Sequence, residues 1–127
     1  MSRQLLLLIC ATFILSACVQ SPVFKGEGYA YIKSNYPIVR VNGEDMDPVY
    51  SYDLAAGQNT LAIVYKTYRH DYVCSFAWTA RAGTAYEVTD QDHRYPLTLY
   101  RWEPTNSYWA SRLDPIKPLQ CIPRENN

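Results

Sequence analysis

Histidine is scarce in this chain: His70 and His93 are the two among 127 residues. General-base and metal-ligand chemistry through imidazole is thereby limited to two positions. The signatures G-x-S-x-G, H-E-x-x-H and C-x-x-C are absent. So is a glycine-rich phosphate loop, the five glycines being spread along the chain. Charge is balanced, with 12 Lys and Arg against 12 Asp and Glu, and it is interspersed without runs. No basic patch stands out, so nucleic acid is not an expected partner. No apolar run reaches the about 20 residues of a membrane-spanning helix. Beyond the N-terminus no segment has an apolar period near 3.6. Internal repeats and low-complexity stretches are absent.

What is present begins at residue 1. Arg3 and the amino group supply positive charge, Leu5 to Leu15 is an apolar run of 11 residues broken only by Thr12, and Ser16 and Ala17 lead into Cys18. Apolar character stops at Val19, and Gln20-Ser21-Pro22 follow. The pattern reads as an export signal over residues 1–17. Leu15-Ser16-Ala17-Cys18 resembles the lipobox of bacterial lipoproteins at all four positions. The resemblance implies cleavage before Cys18, a diacylglyceryl group on its thiol, and acylation of the new amino group, palmitate being a usual chain. Two or more acyl chains anchor stably, at about 0.8 kcal/mol per buried methylene, where one is marginal. Val19, not Asp, follows the cysteine. By resemblance to Gram-negative sorting, that implies the outer membrane, with the domain in the periplasm.

Removing residues 1–17 leaves 110, enough for one domain, with a formal charge of about −1. Of four cysteines, Cys10 leaves with the signal and Cys18 is consumed by lipid, so Cys74 and Cys121 remain. In an oxidising periplasm two such cysteines most simply form one disulfide. It would close a loop of about 48 residues, worth on the order of 4 kcal/mol. The alternative is an envelope hydrolase directed at peptidoglycan, with Cys74 as nucleophile and His70 or His93 as base. Four residues of extended strand separate His70 from Cys74 by about 13 Å. Hydrogen bonding needs about 3 Å, so a turn would have to bring them together. The expectation is a non-catalytic protein.

Residues 18–27 read as the lipidated N-terminus and a short tether. Residues 28–103 read as the folded domain. Strand formers recur in Tyr29–Lys33, Ile38–Val41, Val49–Leu54, Asn59–Tyr68, Val73–Arg81, Tyr86–Thr89 and Leu97–Trp102. Asn42-Gly43 is a strong turn signal, and Gly57 and Gly83 mark further turns. The expected fold is all-β: a small antiparallel β-sandwich of about seven strands. From Pro104 to Asn127 repeated prolines predict an irregular tail packed on the domain. Val39-Arg-Val-Asn-Gly43, Asp53-Leu-Ala-Ala-Gly57 and Asn59-Thr-Leu-Ala-Ile-Val-Tyr65 resemble the PEGA-like and transthyretin-like β-sandwich modules of bacterial envelope proteins. Asn42 stands where those have Asp, and the Pro-Glu-Gly-Ala stretch is absent. The resemblance implies the fold class and no catalytic residue.

Two clusters hold potential metal ligands: Asp90-Gln91-Asp92-His93, and Glu44, Asp45 and Asp47. The second departs from calcium-loop spacing. Both read as solvated loops, so neither a metal nor a cofactor is expected. The aromatic content is the most pointed feature: 12 tyrosines and three tryptophans against three phenylalanines. Tyr packs its ring while its hydroxyl reaches water or a partner, and it is also an ordinary strand former. Tyr29, Tyr31, Tyr50, Tyr52 and Tyr65 form the candidate binding face, for an envelope protein or peptidoglycan.

Overall fold

The computed structural model describes residues 23–91, 95–106 and 108–124. The export signal, Cys18 and His93 lie outside the described residues. Eight strands follow one another: β1 (Tyr29–Val41), β2 (Glu44–Ala55), β3 (Gly57–Lys66), β4 (Asp71–Ala80), β5 (Ala85–Thr89), β6 (Thr98–Pro104), β7 (Ala110–Ile116) and β8 (Gln120–Pro123). Among the described residues no helix is long and apolar enough to cross a membrane.

Tyr29–Lys33 and Ile38–Val41, expected as two strands, are one. β1 runs through both, with register shifts between Lys33 and Ile38 and between Ile38 and Arg40. Pro37 supplies no backbone donor to the ladder, and just before it the Tyr36 amide turns to Ser34 Oγ at 3.1 Å. The irregularity lets β1 change neighbours. Its first half pairs with β5 in parallel, Tyr31↔Ala85 to Ser34↔Val88. Its second half pairs with β3 antiparallel, Ile38↔Ile63 to Val41↔Leu61. β2 lies along the other edge of both halves. One curled sheet thus has two wings, β5–β6–β7 and β3–β4–β8, joined through the β1–β2 hairpin. The all-β expectation holds. The uniformly antiparallel arrangement does not, because the β1–β5 pair is parallel, its strands linked through β2, β3 and β4.

The wings close on one core. Ile32, Ile38, Leu54, Ile63, Phe76, Val88, Leu97 and Leu99 belong to a single buried cluster. The alternation along β4 places Cys74, Phe76, Trp78 and Ala80 on its buried side. At the Asn42-Gly43 turn, φ is 51° and 83° and Val41 faces Glu44. That is the two-residue hairpin turn whose twist matches its strands. Asn59, 2% exposed, ties the sharp β2–β3 corner to this turn. Its Nδ2 donates to the Ala55 and Gly57 carbonyls at 2.8 and 3.0 Å, and its Oδ1 accepts from Asn42 Nδ2 at 2.9 Å.

The tail expected to be irregular carries β7 and β8. Both lie at the ends of the strand order, so each leaves one edge unpaired. Proline is tolerated there because only one side must supply ladder hydrogen bonds. Pro115 and Pro123 sit in these two strands. Glu44–Pro48, expected as loop, likewise opens β2, a third strand with a free edge. Its carboxylates and Pro48 blunt that edge against pairing with another chain. Cys74 and Cys121 face each other across β4 and β8 with 4.0 Å between Cα atoms, and their sulfurs are bonded.

Candidate functional site

Cross-strand register decides which side chains share a surface. On the side of the β1–β5–β6–β7 wing away from the core, two rungs run side by side. One holds Lys33, Glu87 and Tyr100; the next holds Tyr31, Ala85, Trp102 and Arg112. Glu87 is 6% exposed although it lies on the outer side of the sheet. Arg112 Nε donates to Glu87 Oε1 at 2.5 Å, and Lys33 Nζ lies 3.6 Å from Oε2. Arg112 also reaches Gln91 Oε1 at 2.9 Å. Lys33 Nζ sits 4.7 Å from the centre of the Trp102 ring, within cation–π range. Two cations, one carboxylate and an aromatic ring are thus interlocked with a net charge of about +1. A buried carboxylate is stable only when paired and hydrogen-bonded in this way.

Beside the cluster lies a shallow cleft of about 360 Å³, walled by Phe24, Trp102 and Pro104 and floored by Gly83, Thr84 and Ala85. Ala85 makes the depression because a small side chain lies between Tyr31 and Trp102 in its rung. A smaller notch of about 160 Å³ opens near Trp78, Arg81, Tyr86, Arg101 and Asp114. Arg101 is held there by Asp114 at 2.8 Å and Glu103 at 2.9 Å. Asp114, then Glu103, push the guanidinium pKa upward through these hydrogen bonds. Asp114 takes φ of 51° near the irregularity in the β6–β7 ladder.

The five tyrosines of the expected face do not share one surface. Tyr29 and Tyr31 alternate with buried Ala30 and Ile32 and point away from the core. Tyr52 pairs with Ile32, so it and Tyr50 belong to the opposite side, at the edge strand β2, 37% and 58% exposed. Tyr65 packs against the core, its ring edge-on to Tyr36 at 5.0 Å. The register of the β1–β2 pair makes this division: Tyr31 stands opposite Asp53, so Tyr50 and Tyr52 alternate onto the other face.

Tyr36 donates to Asp90 Oδ2 at 2.6 Å. Burial first, then the Asp90 hydrogen bond and charge, push its pKa up to about 12. The folded state therefore holds this proton more tightly than the unfolded chain, where a phenol titrates near 10. The stabilisation is complete below about pH 10 and is lost as pH rises toward about 12. A phenolate absorbance titration should show one tyrosine ionising last, and Tyr36→Phe should remove that step. An unchanged titration would refute the assignment.

The other marked residues are accounted for. Cys74 is fully buried and bonded to Cys121, leaving no thiolate for a nucleophile. His70 is exposed in the β3–β4 connection, its ring edge-on to Tyr72. Asp90 and Gln91 are engaged by Tyr36 and Arg112, while Asp92 and His93 lie outside the described residues. Asp45 pairs with Arg40 at 2.7 Å. Among the described residues no group of three His, Cys, Asp or Glu is arranged to hold a metal ion. Sequence reasoning missed Glu87 and Arg112. The usable signal was the lone charge in Ala-Tyr-Glu-Val-Thr; Arg112 lay in a segment read as irregular. Protein-family models, curated proteins and solved structures contain no match to this chain, so no role is carried over from a relative.

Proposed function

We propose that this chain is a lipid-anchored protein of the bacterial cell envelope. Its acyl groups sit on Cys18, and its β domain is a non-catalytic binding module facing the periplasm from the outer membrane. The observation that carries this reading is the fate of the cysteines. Cys74 and Cys121 are bridged, as suits an oxidising compartment outside the cytoplasm. Cys18 closes a four-residue lipobox behind an export signal. Binding is supported by the outer surface of β1, β5, β6 and β7. There Trp102 walls a cleft of about 360 Å³, Tyr31 lies in the same rung as Trp102, and Lys33 and Arg112 hold the adjoining cluster around Glu87. Aromatic rings beside charged and amide groups suit sugar rings or the side chains of an envelope protein. Peptidoglycan or another envelope protein is the partner class. The hydrolase alternative loses support because its nucleophile is bridged.

Cys18→Ala tests the anchor. The variant should take up no label from an alkyne-tagged palmitate, should accumulate as unprocessed precursor, and should lose the wild-type membrane density profile. Normal lipid labelling of the variant would sink the reading.

A further inference from the structure

We propose that the β6–β7 loop is a second, non-covalent membrane contact. Tyr108 and Trp109 enter the interfacial layer of the bilayer that holds the anchor, and so set the orientation of the domain. This rests on the reading of Cys18 as lipidated. Tyr108 is 72% and Trp109 70% exposed, a degree unusual for tryptophan, which is highly buried on average.

The loop is held open by its own hydrogen bonds. Thr105 N, Thr105 Oγ1 and Asn106 N all donate to the Trp109 carbonyl, at 2.9, 2.9 and 3.3 Å. Asn106 Oδ1 accepts from the amides of Tyr108 and Trp109 at 2.8 and 3.0 Å. A pre-formed loop loses little conformational freedom on docking.

Its place in the fold names the occupant. Pro104, at the base of the loop, walls the same cleft as Phe24. The β4–β5 turn closes this end, Gly83 N donating to the Tyr29 carbonyl at 2.9 Å. The chain leading back to Cys18 therefore leaves the domain, at exposed Val23, from the end that carries the loop. Five residue steps separate Cys18 from Val23, roughly 17 Å when fully extended. This end cannot stand far from the bilayer that takes the acyl chains. Trp and Tyr are the side chains enriched at membrane–water interfaces, where the ring is apolar and its polar atom wet. Lys25, Arg81 and Arg101 are offset by Glu27, Glu103 and Asp114, so the contact is aromatic and needs no anionic lipid.

The test uses full-length, detergent-extracted protein reconstituted into zwitterionic phosphatidylcholine vesicles, with and without bromine-labelled acyl chains. Trp78 is 7% exposed and Trp102 partly buried, so Trp109 is the tryptophan open to such quenching. The expected result is bromolipid quenching in the wild type that mostly disappears in Trp109→Phe, with unchanged melting of the variant. Equal quenching in both proteins overturns the proposal. So does a Trp109 that stays open to aqueous iodide on vesicles, including one shielded only when peptidoglycan fragments are added. Intact mass on the same sample reads acylation separately. An acylated, vesicle-bound protein with unquenched Trp109 overturns the loop contact and leaves the anchor standing. An unacylated protein overturns the anchor, and the loop contact then stands or falls on the same quenching difference with added vesicles.

Discussion

Cys121→Ser should lower the unfolding free energy of the domain by about 4 kcal/mol, the chain-entropy value for a closed loop of this length. Domains of this size are stable by only about 5–15 kcal/mol, so the loss is a large part of the whole. The melting temperature should fall by roughly 15–25 °C. The two cysteines are not equivalent. Cys74 is fully buried in the core cluster, whereas Cys121 is only partly buried at the edge strand. Serine at position 74 would add an unsatisfied hydroxyl to an apolar site, a further cost of about 1–3 kcal/mol. Cys74→Ser should therefore be the less stable of the two. Thermal melts of wild type with and without reductant, beside both variants, decide the matter. Identical melting of oxidised and reduced wild type would contradict the bridge.

Asn59→Leu should cost roughly 3 kcal/mol, as expected when buried carbonyls lose their donor. Leucine has a suitable volume but cannot serve the Ala55 and Gly57 carbonyls, nor accept from Asn42. Asn42 keeps its own bond from the Thr60 amide at 2.8 Å. It is exposed, so Asn42→Gly should cost about 1 kcal/mol or less while preserving the positive φ. A double-mutant cycle by urea denaturation should give a coupling of at least about 0.5 kcal/mol between the two sites. Purely additive losses would show that the hairpin turn and the β2–β3 corner are held independently.

What could be read from the sequence was local. Asn42-Gly43 demands positive φ at two successive residues, and the turn follows at that point. The alternation of Cys74, Phe76, Trp78 and Ala80 assigns the buried face of β4 without reference to any partner. Cysteine bookkeeping selected Cys74 and Cys121 as the bridged pair because it needs only counts and a compartment. Leu15-Ser16-Ala17-Cys18, on which the proposed lipidation rests, is likewise contiguous and is read without reference to any fold.

Tertiary structure decided what depends on neighbours far along the chain. Whether proline ends a strand depends on whether both edges of that strand are paired, so β7 and β8 were hidden by Pro115, Pro118 and Pro123. The irregularity at Pro37 lies within one strand, β1, because the partners that continue the sheet on either side of it, β5 and β3, lie far along the chain. Lys33 meets Glu87 only through the parallel β1–β5 pair, and Arg112 completes the cluster from a segment that looked structureless. The tyrosines separate because residues directly opposite on paired strands share a face, and Tyr31 stands opposite Asp53, not Tyr52. Composition revealed that aromatic rings are abundant. Register, set by hydrogen bonds between distant strands, decided which of them stand together: Tyr31 with Trp102 on the wing, Tyr36 with Tyr65 at the core margin.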